Sequence, residues 1–280
     1  MATIEGPMNS LQNIHEQLAS RPLRPLQMLV ITLGVLINMV DGFDLLAASL
    51  VSPILKREWQ LEPEMLGLLL SAGPLGTATG ALLLSPMADL YGRRSAILAN
   101  LLLMSLGMTL SALADSVTQL TVLRFLTGMG VGAMASCVGT LVFEYCSLKT
   151  RNLGLGLVTI GYNVGVVIGG ILASQWLIGA YGWRSVFVFG GVTSALLVPL
   201  VYWLLPESID FMVAKPRANT LGKLNRVLSR LELRPFETLP APSPRLRAPV
   251  RSTCCGNRYC RVCCSCSSPI FFTCCLRTSS

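Results

Sequence analysis

Residues Ala96 to Leu110 read AILANLLLMSLGMTL, a run without charge that is apolar on every face of a helix. A membrane β-strand would instead alternate apolar and polar residues over about ten positions. A helix needs about 20 mostly apolar residues to cross a bilayer. Five more apolar segments accompany this run, so six spans are predicted, near 27–53, 64–86, 95–114, 118–143, 153–178 and 184–205.

The overall composition agrees with an all-α membrane protein built as a six-transmembrane-helix bundle. Of the 280 residues, 52% are hydrophobic and 13% are charged, with a mean hydropathy of +0.61. Soluble proteins average about 25% charged residues. The composition therefore excludes a soluble globular domain, and the aliphatic content excludes a collagen-like or disordered chain.

Charge and cysteine are unevenly distributed along the chain. Residues 1–210 contain 10 Lys and Arg against 12 Asp and Glu, whereas residues 211–280 contain 12 against 2. Eight of the 10 cysteines lie between Cys254 and Cys275. We therefore expect the last part of the chain, from about residue 241, to be an irregular, basic, Cys-rich tail that is disordered.

Lys and Arg in the short loops predict the orientation, because they concentrate on the cytoplasmic side. With a cytoplasmic N-terminus, the inner loops hold eight of them and the outer loops three. The inner set is Arg21, Arg24, Arg93, Arg94, Lys149, Arg151, Lys215 and Arg217, and the outer set is Lys56, Arg57 and Arg184. We expect a multi-pass protein of the inner (plasma) membrane with a cytoplasmic N-terminus and no secretory signal.

The predicted segments are an N-terminal cytoplasmic stretch, a bundle, a cytoplasmic loop and the tail. Their boundaries are 1–25, 26–208, 209–240 and 241–280. Within the loop, the leucines from Leu221 to Leu231 share one face of a short helix and basic residues share the other. This pattern fits a basic amphipathic helix at the inner leaflet or an ordinary linker helix.

Two acidic residues lie inside the first span. A spacing of three places Asn38, Asp41 and Asp44 along one helix face, with Gly42 between the acids. A charge at mid-bilayer costs roughly 2.5–3.5 kcal/mol. Burial favours the protonated form of a carboxyl, which suits a group that binds and releases a proton. The alternative is a structural hydrogen-bonding pair within the bundle.

Arg124 is the single basic residue buried within a span. Counted from the outer ends of their helices, Asp44 and Arg124 lie at depths that differ by roughly 5 Å. Three roles fit this depth: an ion pair with the acid, a site that awaits an anionic substrate, or a side chain that extends to the nearby interface.

Glycines recur at positions where helices need to approach closely in lipid. The fourth and fifth spans place them at intervals of four residues. The glycines predicted to pack against other helices are Gly128, Gly132, Gly161, Gly165 and Gly169. Because this spacing is common in helical membrane proteins, it indicates packing rather than chemistry.

The loop after the second span reads SPMADLYGRR from Ser85 to Arg94. It resembles the G-x-x-x-D-(R/K)-x-G-R-(R/K) signature of the major facilitator superfamily, with Ser85 and Leu90 departing from the pattern. Arg124-x-x-x-Gly128-x-Gly130 and Pro206-Glu207-Ser208 resemble further motifs of that superfamily. Without the motif, the charged loop would be interpreted as a solvated loop that follows the positive-inside bias.

Narrower features resemble the aromatic acid:proton symporters within that superfamily. They are Asp41-Gly42-Phe43-Asp44, Glu144-Tyr145 followed by Lys149 and Arg151, and the stretch GWRSVF from Gly182. Drug antiporters usually have Pro where this chain has Val166, which disfavours efflux. The resemblance implies proton-coupled uptake of aromatic or other small organic carboxylates by alternating access.

The resemblance also implies roles for individual residues. Asp41, Asp44, Arg124 and Asn38 would serve proton coupling or substrate binding. The residues that would belong to a cytoplasmic gate are Asp89, Gly92, Arg93, Arg94, Glu144 and Arg151. The partners expected are a small organic carboxylate, protons and the bilayer, with no cofactor, no metal and no nucleic acid.

Relatives in this superfamily have twelve spans, whereas this sequence contains six. The six spans therefore resemble the N-terminal half of a major facilitator fold, and the alternative function is a truncated, non-transporting half-bundle that lacks the C-terminal six helices. We hypothesise that the residues after about 240 are an out-of-register ending, which inspection of the other two reading frames would test. The spacing of Cys260, Cys263 and Cys266 resembles zinc ligands, but the two pairs share a residue and the tail has no His.

An enzyme is the remaining class, and the sequence disfavours it. His15 is the only histidine and precedes the first span, so the bundle has no histidine for acid–base or metal chemistry. Phosphate-loop motifs are absent from the sequence as well. Transport driven by an ion gradient is the better interpretation.

Overall fold

The computed structural model describes residues 24–146, 150–214 and 220–230. Within these ranges six helical stretches are long and apolar enough to cross a membrane, which confirms the predicted all-α six-span bundle. Each stretch overlaps one predicted span with shifted ends; the first runs over Pro25–Glu58 rather than 27–53, and the third over Arg93–Ala112 rather than 95–114. The predicted N-terminal stretch up to residue 23 and the predicted tail 241–280 lie outside the described residues.

The helices are numbered in chain order. Their bounds are α1 Pro25–Glu58, α2 Pro63–Leu83, α3 Ser85–Tyr91, α4 Arg93–Ala112, α5 Val117–Tyr145, α6 Arg151–Leu172, α7 Ile178–Tyr181, α8 Arg184–Leu204, α9 Ile209–Ala214 and α10 Thr220–Arg230. The second span consists of α2 and α3. The fifth span consists of α6, a π-helical turn at Ala173–Leu177, and α7.

Local sequence explains where several helices begin and end. Pro25 and Pro63 occupy first-turn positions, where a missing N–H costs nothing. Ser116 caps α5 by accepting a hydrogen bond from the Gln119 N–H at 3.3 Å. Gly92, with φ 105°, separates α3 from α4, and Gly182, with φ 77°, separates α7 from α8. Only glycine adopts such φ values without strain.

The most extensive contacts between spans join four pairs of helices: α2 with α5, α1 with α6, α4 with α8, and α4 with α5. Glycines permit the close approach in the first two pairs. A Cβ on Gly132 of α5 would overlap the backbone carbonyl of Thr77 in α2, and one on Gly165 of α6 would overlap that of Met39 in α1. Gly128, Gly161 and Gly169 likewise face Gly73, Val35 and Phe43. Small residues therefore bring these backbones into direct contact.

The core consists of two apolar clusters at opposite ends of the bundle. One surrounds the start of α1 and the end of α5, and includes Tyr145. We call this the inner end, because the arginine distribution predicts that it faces the cytoplasm. The other cluster, which includes Phe43 and Phe187, lies at the outer end. Asp41 and Asp44 are buried on α1 between these clusters.

Helix α10 packs on the inner end of the bundle. Leu224 and Leu228 are fully buried in the inner cluster, whereas Arg226 and Arg230 are exposed. The leucine face that the sequence assigns to the membrane interface or a linker therefore contacts protein. This packing places the arginines of α10 next to the inner end of α8.

Candidate functional site

Two acidic residues of α1, Asp41 and Asp44, are buried in the middle of the bundle. Asp41 is 1% exposed and Asp44 is 4% exposed, and Asn38 is also buried on the same helix. Asn38 donates its side-chain amide to the Gly34 carbonyl of its own helix at 3.0 Å. The three residues thus share the predicted helix, but the Asn38 donor is directed back to the backbone rather than toward the acids.

Arg124 of α5 contacts Asp44 across the bundle. Its Nη1 lies 3.1 Å from Asp44 Oδ1 and donates to the Asp44 backbone carbonyl at 3.2 Å. Nη2 lies 2.7 Å from Met108 Sδ, and the guanidinium carbon is 4.8 Å from the centre of the Phe187 ring. Arg124 is only 3% exposed and so does not extend to the interface. Its Nε is buried and has no hydrogen-bond partner within the described part of the chain, so one donor remains unused there.

Asp41 has different surroundings from Asp44. Both of its carboxyl oxygens are buried and have no hydrogen-bond partner among the described residues. Tyr162 of α6 lies within electrostatic range of both acids. A Cβ on Gly42 would overlap the Tyr162 carbonyl, so the backbones of α1 and α6 touch beside Asp41. Asp44 is therefore in an ion pair, whereas Asp41 forms no hydrogen bond with the residues that the structure describes.

A cavity of about 170 Å³ lies beside the Arg124–Asp44 pair. Helices α1, α2 and α5 supply its walls, with polar groups from Ser49 and Thr77 and with Gly73 and Pro74 in the wall of α2. This volume is smaller than that of most small-molecule pockets, which measure roughly 300–1,000 Å³. The cavity combines a buried cation with apolar walls, and such a site suits an anion with an apolar body. Asp41 is not part of its lining.

A second polar cluster joins several helices at the inner end. Arg93 Nε lies 3.1 Å from Glu144 Oε1, and Arg93 Nη2 lies 3.3 Å from Asp89 Oδ1. The hydroxyl of Ser208 donates to Glu144 Oε2 at 2.5 Å. Arg93 and Glu144 therefore connect the start of α4 to the end of α5, and Ser208 adds the segment after α8.

Glu207 extends this cluster to the predicted gate residues Gly92 and Arg94. Its Oε1 accepts the Arg94 backbone N–H at 3.1 Å, and its backbone carbonyl accepts the Tyr145 hydroxyl at 2.7 Å. A Cβ on Gly92 would lie 2.9 Å from Glu207 Oε2. The absence of a side chain at Gly92 therefore lets the Glu207 carboxylate approach α4.

Arg151 lies apart from the Glu144 cluster, although the sequence places both in the gate. Its guanidinium stacks over the Phe143 ring at 3.5 Å. The neighbouring Cys146 follows the end of α5; burial raises the pKa of its thiol, and Arg151 acts in the opposite direction. A raised pKa keeps this thiol protonated and unreactive near neutral pH.

Sequence reasoning assigned no role to several residues of these sites. Met108, Phe187 and Tyr162 surround the charged groups of the bundle, and each belongs to a residue type that is common in any span. Glu207 had a usable signal, because Pro206-Glu207-Ser208 was identified as a motif although no role was assigned to it. Across residues 24–146, 150–214 and 220–230, no three His, Cys, Asp or Glu side chains are grouped to hold a metal.

Comparison with known proteins identifies related transporters. The chain is 34% identical over 250 residues to the gallate transporter of Pseudomonas putida, and this match covers 89% of this chain and 56% of that protein. It is 38% identical over 211 residues to the 4-hydroxybenzoate transporter of Acinetobacter baylyi, covering 75% of this chain and 45% of that one. The chain therefore spans about half the length of the curated relatives it matches.

The solved proton:xylose symporter XylE superimposes on this structure with a TM-score of 0.64. The match covers 74% of this chain and 50% of the symporter at 17% identity, and it supports the fold alone. A model of the Major Facilitator Superfamily matches residues 33–268, which extends beyond the boundary predicted near residue 240. By this match the chain belongs to the Major Facilitator Superfamily, a family of transporters rather than enzymes.

Proposed function

We propose that this chain takes part in proton-coupled uptake of aromatic or other small organic carboxylates, with Arg124 as the carboxylate-binding group. The observation that supports this proposal is a buried guanidinium that lines a cavity and retains one unpaired donor. Arginine binds carboxylates through two parallel hydrogen bonds. The gallate and 4-hydroxybenzoate transporters among its relatives make an aromatic carboxylate the best-supported substrate class.

The contact between Arg124 and Asp44 provides a means of coupling. A substrate carboxylate that binds Arg124 competes with Asp44 for the same guanidinium. Once displaced, Asp44 is a buried carboxylate without a cationic partner, and such a group is neutralised by taking up a proton. Binding of the anion is thereby linked to binding of a proton.

Asp41 acts in this proposal as a neighbouring proton-binding group. It is buried, has no hydrogen-bond partner among the described residues, and lies one helical turn from Asp44. Burial without a partner favours its neutral form. In the proposal, a proton passes between Asp41 and Asp44 as substrate binds to Arg124 and leaves it.

Alternating access requires that two helical bundles rock against each other. The cluster of Arg93, Glu144, Glu207 and Ser208 serves as the inner gate region of this bundle in the proposal. It holds the start of α4, the end of α5 and the segment after α8 together, so in the proposal the bundle moves as one body. The cytoplasmic placement of this cluster follows the predicted orientation.

The test measures uptake of labelled benzoate into proteoliposomes that contain the chain, with and without an inward proton gradient. We expect uptake that depends on the gradient. Arg124→Gln removes the carboxylate-binding group, and Asp41→Asn and Asp44→Asn remove the proton-binding groups, so each lowers uptake at least tenfold, or about 1.4 kcal/mol. The matched control is Asp115→Asn, because the side chain of Asp115 is 87% exposed in an outer loop.

Counterflow separates proton coupling from substrate binding. An exchange of labelled for unlabelled benzoate needs substrate binding but no net proton movement. Asp41→Asn is therefore expected to retain exchange while it loses gradient-driven uptake, whereas Arg124→Gln loses both. Full gradient-driven uptake by Asp41→Asn and Asp44→Asn would contradict the coupling proposal.

The second candidate function is a membrane-inserted half-bundle that does not transport by itself. It is supported by the share of the relatives' length that the chain covers, 56% and 45%. Background uptake by the parent chain, together with Arg124-dependent binding of benzoate to the purified protein, would support this candidate. If the purified parent chain bound no benzoate, the proposed carboxylate site would be contradicted.

A further inference from the structure

A cavity of about 350 Å³ lies at the inner end of the bundle, away from the Arg124 site. Its walls come from the starts of α1 and α4, the end of α8 with the segment that follows it, and helices α9 and α10. Arg94, Arg226 and Arg230 line it, and among the described residues Glu207 is the single acidic residue in the lining. We propose that this cavity binds the headgroup of an anionic phospholipid, a role distinct from the carboxylate transport proposed above.

The charge of the lining fits a phosphodiester. Glu207 Oε1 accepts two backbone N–H groups, from Arg94 and Ser208, each at 3.1 Å. Within the described ranges, neither Arg226 nor Arg230 forms an ion pair with an acidic side chain. Three guanidinium groups therefore outnumber one carboxylate in a confined space. Arginine is the side chain best suited to phosphate oxygens, because its donors form a rigid fork.

Arg94 is held in place to serve such a ligand. Its guanidinium donates to the backbone carbonyl of Tyr202 and lies over the Tyr202 ring, with 5.2 Å between the guanidinium carbon and the ring centre. Its Nε is buried and has no hydrogen-bond partner in residues 24–146, 150–214 and 220–230. A donor that is fixed and unused binds an anion at a small entropic cost.

The position of the cavity favours a lipid over a free anion. Trp203, in the last turn of α8, lines the cavity and is 80% exposed, and the adjacent Leu204 is also exposed. Tryptophan concentrates at the level of the headgroups in membrane proteins. The arginines thus lie where the sixth span ends, beside apolar side chains that an acyl chain can contact. A phospholipid supplies both a phosphate and an acyl chain at this level.

Quenching of Trp203 fluorescence by brominated lipid tests the proposal with the full chain in vesicles. Brominated phosphatidylglycerol is compared with brominated phosphatidylcholine at the same minor fraction in phosphatidylcholine vesicles. The Trp203→Phe variant is subtracted to isolate the signal of Trp203. We expect phosphatidylglycerol to quench Trp203 more strongly than its fraction in the membrane predicts. Because the lipid is in both leaflets, the test is independent of orientation.

The variant Arg226→Gln/Arg230→Gln is expected to lower this preference at least about fivefold, since one basic residue near a membrane surface contributes about that factor. The matched control, Lys56→Gln/Arg57→Gln, removes two exposed charges at the outer end of α1 and should retain the preference. Equal quenching by brominated phosphatidylcholine in all variants shows that Trp203 still lies at the membrane. Arg226→Lys/Arg230→Lys provides a second variant that keeps the charge and should retain part of the preference.

Three results would overturn the lipid site. The first is an unchanged preference for phosphatidylglycerol in Arg226→Gln/Arg230→Gln, and the second is an equal loss in the outer-end control. The third is displacement by inorganic phosphate at constant ionic strength, because the cavity would then take a free anion.

Discussion

The paired Asp44 and the unpartnered Asp41 differ in what their removal does to the bundle. Replacing Asp44 leaves Arg124 as a buried cation without its counter-charge, and such a loss is costly. Replacing Asp41 by Asn removes a group that has no hydrogen bond to lose among the described residues. Asp41 is therefore the position where proton binding can be removed with the smaller structural disturbance.

Tyr145 connects α5 to the segment after α8, and a substitution there measures that link. We expect Tyr145→Phe to destabilise the protein by about 0.5–1.5 kcal/mol, because the Glu207 carbonyl loses its hydroxyl partner. The melting temperature in detergent should fall by a few degrees. Tyr181→Phe is the control, since Tyr181 is 80% exposed. An equal effect of both substitutions would show that the link to Glu207 contributes nothing.

Sequence alone identified the charged residues of the bundle, because a charge within an apolar span is rare and costly. It predicted that Asp44 and Arg124 lie at similar depths. In the structure Arg124 Nη1 lies 3.1 Å from Asp44 Oδ1. It did not predict that Asp41 lies outside the cavity lining or that Asn38 bonds to its own backbone. The first outcome depends on helix rotation and the second on the side-chain rotamer of Asn38. The spacing of residues along one helix determines neither.

The helix pairs are the main elements of the bundle, and glycines decide how closely two of them approach. Gly132 and Gly139 both lie on α5 and offer a direct comparison. A Cβ on Gly132 would meet the backbone of α2, whereas a Cβ on Gly139 would meet nothing within 4 Å. The two positions therefore separate the effect of packing from the effect of helix propensity.

Gly132→Ala is expected to destabilise the protein by about 1–3 kcal/mol, because α2 and α5 must move apart. Gly139→Ala is expected to be neutral or stabilising by up to about 1 kcal/mol, since alanine favours helix over glycine. Thermal unfolding of the purified protein, followed by light scattering, measures both changes. If the two substitutions were equally harmful, close contact at Gly132 would not be the reason.

At the level of elements, hydropathy identified all six spans but not the irregularities within them. Gly92 with φ 105° and the π-helical turn at Ala173–Leu177 fall within or next to predicted spans. Hydropathy averages over many residues and so does not detect a local change of backbone. The sequence also did not predict that α1 pairs with α6, because regularly spaced glycines indicate a close helix contact but not which helix makes it.

The molecule as a whole is expected to have its N-terminus in the cytoplasm, because most of its loop arginines and lysines then lie inside. Alkaline phosphatase is active only outside the cytoplasm and so reports this arrangement. A fusion after Asp115, between α4 and α5, should be active, and a fusion after Thr150, before α6, should be inactive. The reverse pattern, at equal amounts of fusion protein, would contradict the orientation and the cytoplasmic assignment of the Arg93–Glu144 cluster.

Pro74, in the wall of the Arg124 cavity, leaves a main-chain oxygen without its usual partner. Proline has no N–H, so the helix bond from residue 74 to the Leu70 carbonyl does not form, and Leu70 borders the same cavity. The Leu70 carbonyl, one turn before Pro74, is therefore a main-chain acceptor that no side-chain substitution at Leu70 can remove. Water or a ring hydroxyl is the natural donor to such an oxygen, while the guanidinium opposite attracts negative charge.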